Sequence, residues 1–107
     1  MAKHRVTVSA ARRKHILDGD KTGGGHGPGR KTSGKSEFPA TLTDDEIIAG
    51  IEAIANDASR YTGGLVPRKG SKRLVEGIIK AVRTRVVVDP SRASVVTAYP
   101  LNVRRNP

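Results

Sequence analysis

Six of the fifteen residues from Thr22 to Ser36 are glycine, and the stretch contributes almost nothing apolar. Glycine has no side chain to pack and loses the most backbone entropy on ordering, so this segment cannot be core. The chain has 107 residues, enough for a single domain spanning 1–107. In a domain of that size a long loop without secondary structure is either functional or disordered. It is therefore the first place to look for chemistry, and the fold must be built from what lies on either side of it.

Before the loop, Ala10, Ala11 and the run Arg12, Arg13, Lys14 favour a helix over Ser9 to Leu17, preceded by a flexible stretch over 1–8. After it, Thr43 with Glu46 forms a capping box, Asp44 and Asp45 sit where the helix dipole favours negative charge, and Ile47, Ile48, Ile51, Ile54 and Ala55 recur at helical spacing. From residue 60 the pattern becomes β: Leu74, Val75, Ile78 and Ile79; Val82 and Val86 to Val88; then Val95, Val96 and Thr97. Asp89-Pro90-Ser91 reads as a turn joining the last two runs into a hairpin, while Gly63-Gly64 and Lys69-Gly70-Ser71 punctuate the part before them. Helices followed by strands predict an α+β domain with an antiparallel sheet.

The balance of 20 Lys+Arg against 10 Asp+Glu gives a formal charge of +10, which makes a polyanion the expected partner. Residues 1–42 hold 9 basic and 3 acidic side chains (+6), 43–59 hold 0 and 5 (−5), and 60–107 hold 11 and 2 (+9). The acidic helix is thus expected to turn away from the polyanion. Three aromatics, Phe38, Tyr61 and Tyr99, are too few for a base-stacking platform. Cysteine is absent, which removes disulfides, thiolate metal sites and thiol nucleophiles. No run approaches the roughly 18 apolar residues of a membrane span, so no membrane insertion is expected.

Gly29 to Ser36 (GRKTSGKS) matches the phosphate-loop pattern letter for letter, but a true phosphate loop needs a strand feeding it and a helix leaving it. Here glycines precede it, and Glu37-Phe38-Pro39 follows, so nucleotide hydrolysis is not expected. Asp18, Asp20 and Gly23 resemble the start of a calcium loop, but Thr22 and Gly29 occupy positions that need oxygen ligands. His15, at the end of the first helix, and His26, after three glycines, form a more informative pair. One neutral and one protonated imidazole can act as base and acid, and Lys35 can supply the cation for a developing phosphorane charge. That set needs neither metal nor cofactor, and two His without Cys or metal-ligand spacing make a poor zinc site. The alternative is two surface histidines. His4 has no obvious companion. Alternation along the last strand puts Thr97 and Tyr99 on one face, able to hold a sugar or base, unless Tyr99 is an ordinary core aromatic.

Taken together, His15-Ile16-Leu17-Asp18-Gly19-Asp20, Gly23-Gly24-Gly25-His26, Gly34-Lys35-Ser36-Glu37-Phe38-Pro39, the Thr-Asp-Asp-Glu-Ile-Ile helix and Thr97-Ala98-Tyr99-Pro100 closely resemble the bacterial EndoU nuclease family. The resemblance implies a barnase-like ribonuclease fold. It implies metal-independent cleavage of RNA, in some members tRNA, by transphosphorylation to 2′,3′-cyclic phosphate and 5′-hydroxyl ends. His15 and His26 match the two catalytic histidines, with His26 as base and His15 as acid or the reverse. Lys35 matches the catalytic lysine, with Lys31 in reserve; Arg30 and Lys31 are expected to bind substrate, and Thr97 and Tyr99 match the residues that hold sugar or base. His26 is followed by Gly27-Pro28 in place of a basic or polar residue, a departure from the family pattern. Such domains are the toxins of contact-dependent growth inhibition and related systems. The chain is accordingly expected to be delivered as part of a larger secreted protein, to act in the target-cell cytoplasm, and to be neutralised by an acidic immunity protein. The competing reading is a basic RNA- or DNA-binding module without catalysis.

Overall fold

The computed structural model describes residues 6–21, 23–57, 72–89, 92–101 and 103. His4, Thr22, Tyr61, Gly63-Gly64, Lys69-Gly70-Ser71 and Pro90-Ser91 lie outside the described residues. Two helices, α1 (Ala10–Leu17) and α2 (Asp44–Ala55), are followed by the antiparallel sheet β1 (Arg73–Ile79), β2 (Val82–Asp89) and β3 (Ser94–Pro100), in the order β1-β2-β3. The domain is α+β, as the order of patterns predicts.

Both helices start where their caps dictate. Ser9 accepts a hydrogen bond from the Arg12 amide, and Thr43 and Glu46 form the reciprocal capping box. The apolar stripe of α2, Ile47, Ile48, Ile51, Ile54 and Ala55, packs across the sheet onto Val75, Ile79, Val82, Val86, Val88, Val95 and Ala98. The close approach needs Gly50, since a Cβ there would stand 2.8 Å from the Ile79 side chain. α1 packs beside β3 and contributes Ile16 and Leu17 to the same core.

The opposite face of the sheet carries the alternate residues: Glu76 pairs with Arg85, and Arg85 with Tyr99, while Val87 faces Thr97. Thr97 and Tyr99 share this outer face, and α2 with its carboxylates lies behind it. The register slips by one residue between Val87 and Val88, so that Val88 faces Val95 and Val96 is left as a bulge. Val95 and Ala98, three apart, are both fully buried as a result.

Residues 6–8, expected to be flexible, are instead pinned. The Val6 amide donates to Asn56 Oδ1 at 2.8 Å, the Val8 amide donates to Glu52 Oε2 at 2.8 Å, and Thr7 bridges Ser94 in parallel. Val6 is buried at 3% exposure, so this short segment closes the core between α2 and β3.

The acidic residues at the head of α2 are consumed internally: Asp44 binds Arg30 at 2.9 Å, Asp45 binds Arg13 at 2.7 Å, and Glu46 pairs with Lys80. Phe38, 1% exposed, is the one aromatic in the core among the described residues and plugs the space where the glycine-rich loop rejoins it. Phe38→Ala is expected to cost about 3–5 kcal/mol in urea unfolding, as large core aromatics do; a loss below about 1 kcal/mol would show that this plug is dispensable.

Candidate active site

A helix leaves its last carbonyls without partners inside the helix. At the end of α1 the glycine-rich loop turns back and supplies them: the amides of Gly25, His26 and Gly27 donate to the carbonyls of His15, Ile16 and Leu17 at 3.1, 2.7 and 2.9 Å. The return is made by a tight Asp20–Gly23 turn, closed by two backbone bonds of 2.9 and 3.2 Å. At Gly24, φ is +82° and a Cβ would lie 1.8 Å from the His15 carbonyl oxygen, so only glycine fits. This docking brings His26 alongside His15 although eleven positions separate them in the chain.

His26 is fixed from three directions. Its amide bonds Ile16, its carbonyl accepts from the Phe38 amide at 2.8 Å, and its Nδ1 lies 2.7 Å from the Ser36 carbonyl. A carbonyl can only accept, so Nδ1 carries the proton and the lone pair of the neutral ring is on Nε2. Burial pushes the His26 pKa below its ordinary value, and the charges of Lys35 and His15 push it the same way against the Ser36 hydrogen bond. The ring of Tyr99 is tilted against it, with centroids 5.7 Å apart. Ser36 Oγ donates to the Pro100 carbonyl at 3.2 Å, joining the loop to the end of β3.

A cavity of about 380 Å³ is lined by His26, Lys35, Ser36, Arg85, Tyr99 and Pro100. Lys35 also lines a second cavity of about 450 Å³ that runs past Asp20, Gly23 and Gly24, and His15 lines neither cavity, meeting the second only through its partner Asp20. His15, 6% exposed, donates Nδ1–H to Asp20 Oδ1 at 3.0 Å, which fixes its ring orientation. Thr97 lies one step along the same face as Tyr99, half-buried and outside the cavity lining.

Arg30 and Lys31 are placed differently from the other site residues that the sequence suggests. The Arg30 guanidinium is shared between Asp18, Asp44 and the Pro28 carbonyl, which ties the loop to α2 and α1 and raises its pKa further. The Lys31 amide, with that of Gly29, donates to the Glu37 carboxylate at 2.6 and 2.9 Å. These are the amides a phosphate loop would turn on its ligand, and here a carboxylate of the chain takes them. No strand leads into Gly29 and no helix leaves Ser36.

Two residues of the site were not found by sequence reasoning. Arg85 enters the cavity from β2 because it is paired with Tyr99, and Glu76 holds its guanidinium at 2.9 Å; that carboxylate, and then the nearby Tyr99, raise its pKa. The alternation of Arg83 and Arg85 with Val82, Thr84 and Val86 was the available signal. Asp20, the partner of His15, is visible only once the loop is folded. Among the described residues no group of three or more His, Asp or Glu side chains is arranged to hold a metal, and no helix is long and apolar enough to cross a membrane.

Residues 28–102 match the model of the family described as bacterial EndoU nuclease, a span that includes Lys35, Arg85, Thr97 and Tyr99 and begins just after His26. No curated protein and no solved structure matches the chain.

Folding disfavours the charged form of His26, so the native ring takes up its proton at lower pH than the unfolded one. The stability this carries is intact above the ordinary value of about 6.5 and is lost as pH falls below it towards the depressed native value. In an NMR titration the His26 ring is expected to titrate below 6.5; a midpoint at or above that value would show that burial and the neighbouring cations do not govern it.

Proposed function

The chain belongs to the bacterial EndoU nuclease family, and from that premise we propose that it is a metal-independent endoribonuclease with a barnase-like fold. It cuts RNA by attack of the 2′-hydroxyl on the adjacent phosphodiester. The observation that carries this reading is the state of His26: an imidazole with its proton committed to the Ser36 carbonyl, its lone pair on Nε2, and its charged form disfavoured, in a cavity shared with Lys35 and Tyr99.

Such a ring is a base ready at neutral pH. Nε2 of His26 takes the 2′-hydroxyl proton as O2′ bonds to phosphorus. The Lys35 ammonium offsets the charge that grows on the phosphorane oxygens. His15, whose ring is oriented by Asp20 and given a counter-charge there, donates its proton to O5′ as the P–O5′ bond breaks. The products are a 2′,3′-cyclic phosphate and a 5′-hydroxyl, and the two histidines exchange their protonation states. Lys35 is favoured over Lys31 as the catalytic cation because it lines both cavities. Tyr99 and Thr97 offer a ring and a hydroxyl to the sugar or base.

Family membership and the charge of +10 support a wider role as a toxin domain in interbacterial competition, delivered by a larger secreted protein into the target-cell cytoplasm, with tRNA as substrate. An acidic immunity protein is the matching antagonist for so cationic a surface.

Incubation of the protein with total RNA in EDTA is expected to give fragments ending in 2′,3′-cyclic phosphate. His26→Ala and His15→Ala should each lower the rate by at least about 100-fold with the fold intact by circular dichroism. Intact RNA with steeply salt-dependent binding would favour the non-catalytic module instead.

A further inference from the structure

The carboxylates of this chain are spent selectively. Asp44 and Asp18 hold Arg30, Asp45 holds Arg13, Glu46 holds Lys80, and Glu76 holds Arg83 and Arg85. Among the described residues no ion pair joins Arg12, Lys14, Lys21, Lys31, Lys35 or Lys72 to a carboxylate, and Arg92 reaches Asp89 only at 3.8 Å with 82% of its side chain exposed. Lys35 is in the cavity beside His26. Arg12, Lys72 and Arg92 converge elsewhere, around a separate cavity of about 390 Å³ lined also by Ser9, Asp89 and Ser94.

The position of this second cavity follows from the register. Asp89 pairs with Ser94, and both share the outer face with the Arg85–Tyr99 pair and the Val87–Thr97 pair between them. Asp89 lies four steps beyond Arg85 in β2, about 13 Å along the strand. Lys72 stands one residue before β1 at the same end of the sheet. Arg12 reaches over from α1, with Nη1 3.5 Å from the Val96 carbonyl. α1 and β3 therefore run side by side between the two cavities, with His15 near one end of α1 and Arg12 towards the other. Among the described lining residues three cations against one carboxylate give a net charge of +2, and the Ser9 and Ser94 hydroxyls add neutral donors.

We propose that this cavity is a phosphate exosite for single-stranded RNA, in which Arg12, Lys72 and Arg92 hold a backbone phosphate a few nucleotides from the bond cut beside His26. The proposal rests on the ribonuclease reading for its ligand. The chemistry favours a phosphodiester because guanidinium forks and an ammonium meet its oxygens, while hydroxyls complete the shell. A strand crossing Val87 and Thr97 would join the two cavities without leaving the outer face. Affinity for long RNA then comes partly from a place where no bond is broken.

The test separates binding from cleavage by using a 2′-O-methyl RNA oligonucleotide, which lacks the nucleophile, alongside a cleavable dinucleoside phosphate too short to reach the exosite. In the triple variant Arg12→Gln, Lys72→Gln, Arg92→Gln, the slope of log affinity against log salt for the oligonucleotide is expected to fall by about 0.7, the contribution of one neutralised phosphate on a single strand. Cleavage of the dinucleoside phosphate should be unchanged. The exposed single change Lys72→Glu should weaken oligonucleotide binding several-fold, and it decides the matter if the triple variant fails to fold. An unchanged slope and affinity overturn the exosite. A parent protein that binds the oligonucleotide through these residues but cuts nothing overturns the ribonuclease reading and leaves the exosite standing.

Discussion

The carbonyls of the last turn of α1 set the rest of the structure, those of Ile16 and Leu17 above all, since the His15 carbonyl also accepts from the Gly19 amide at 3.1 Å. A helix of eight residues has little stability of its own, and its unpaired carbonyls would be costly inside a core. The glycine loop answers both needs by laying its amides along the last turn. That contact is why the loop is ordered at all, and it fixes the spacing of His15 and His26 through backbone, not side chains. Everything placed by the loop afterwards, from the Ser36 carbonyl behind His26 to the Phe38 plug, inherits its position from this one strip of hydrogen bonds.

Charge is arranged by the same economy. The acidic head of α2 binds cations that come from α1, the loop and the β1–β2 turn, so it acts as a clasp between segments distant in sequence. An exposed pair of this kind contributes little energy, but Arg30, forked between Asp44 and Asp18, is better placed than most. Among the described residues the α2 carboxylates thereby neutralise Arg13, Arg30 and Lys80, Glu76 neutralises Arg83 and Arg85 on the outer face, and Arg12, Lys35 and Lys72 are joined to no carboxylate.

Much of the fold was legible because its signals are local. The capping box of α2 and its isoleucine stripe specify start, length and buried face, and β-branched runs mark the strands. The β1–β2 turn was not legible: Lys80 and Ala81 both adopt positive φ, 44° and 70°, which neither residue type advertises. The bulge at Val96 was hidden for the same reason, since an extra residue in a strand leaves no compositional trace. In the site, His15, His26 and Lys35 could be read from residue type and the oddity of the loop. Arg85 and Asp20 could not, because their roles arise from cross-strand pairing and from a turn that exists only after the loop has docked. Arg30 and Lys31 stand in the most basic part of the loop, and composition alone cannot tell that the Arg30 guanidinium is held between carboxylates while the Lys31 side chain stays exposed.

The bulge in β3 separates that strand into two frames. Counted in steps of two from Tyr99, Val95 would face outwards; the extra residue resets the count, and Val95 sits in the core while Tyr99 keeps its place at the cavity. The half of β3 that grips Thr7 and the core is therefore free of the phase of the half that presents Thr97 and Tyr99. A substitution at Thr97 or Tyr99 on the outer face therefore need not disturb the core position that Val95 fills at the other end of the strand.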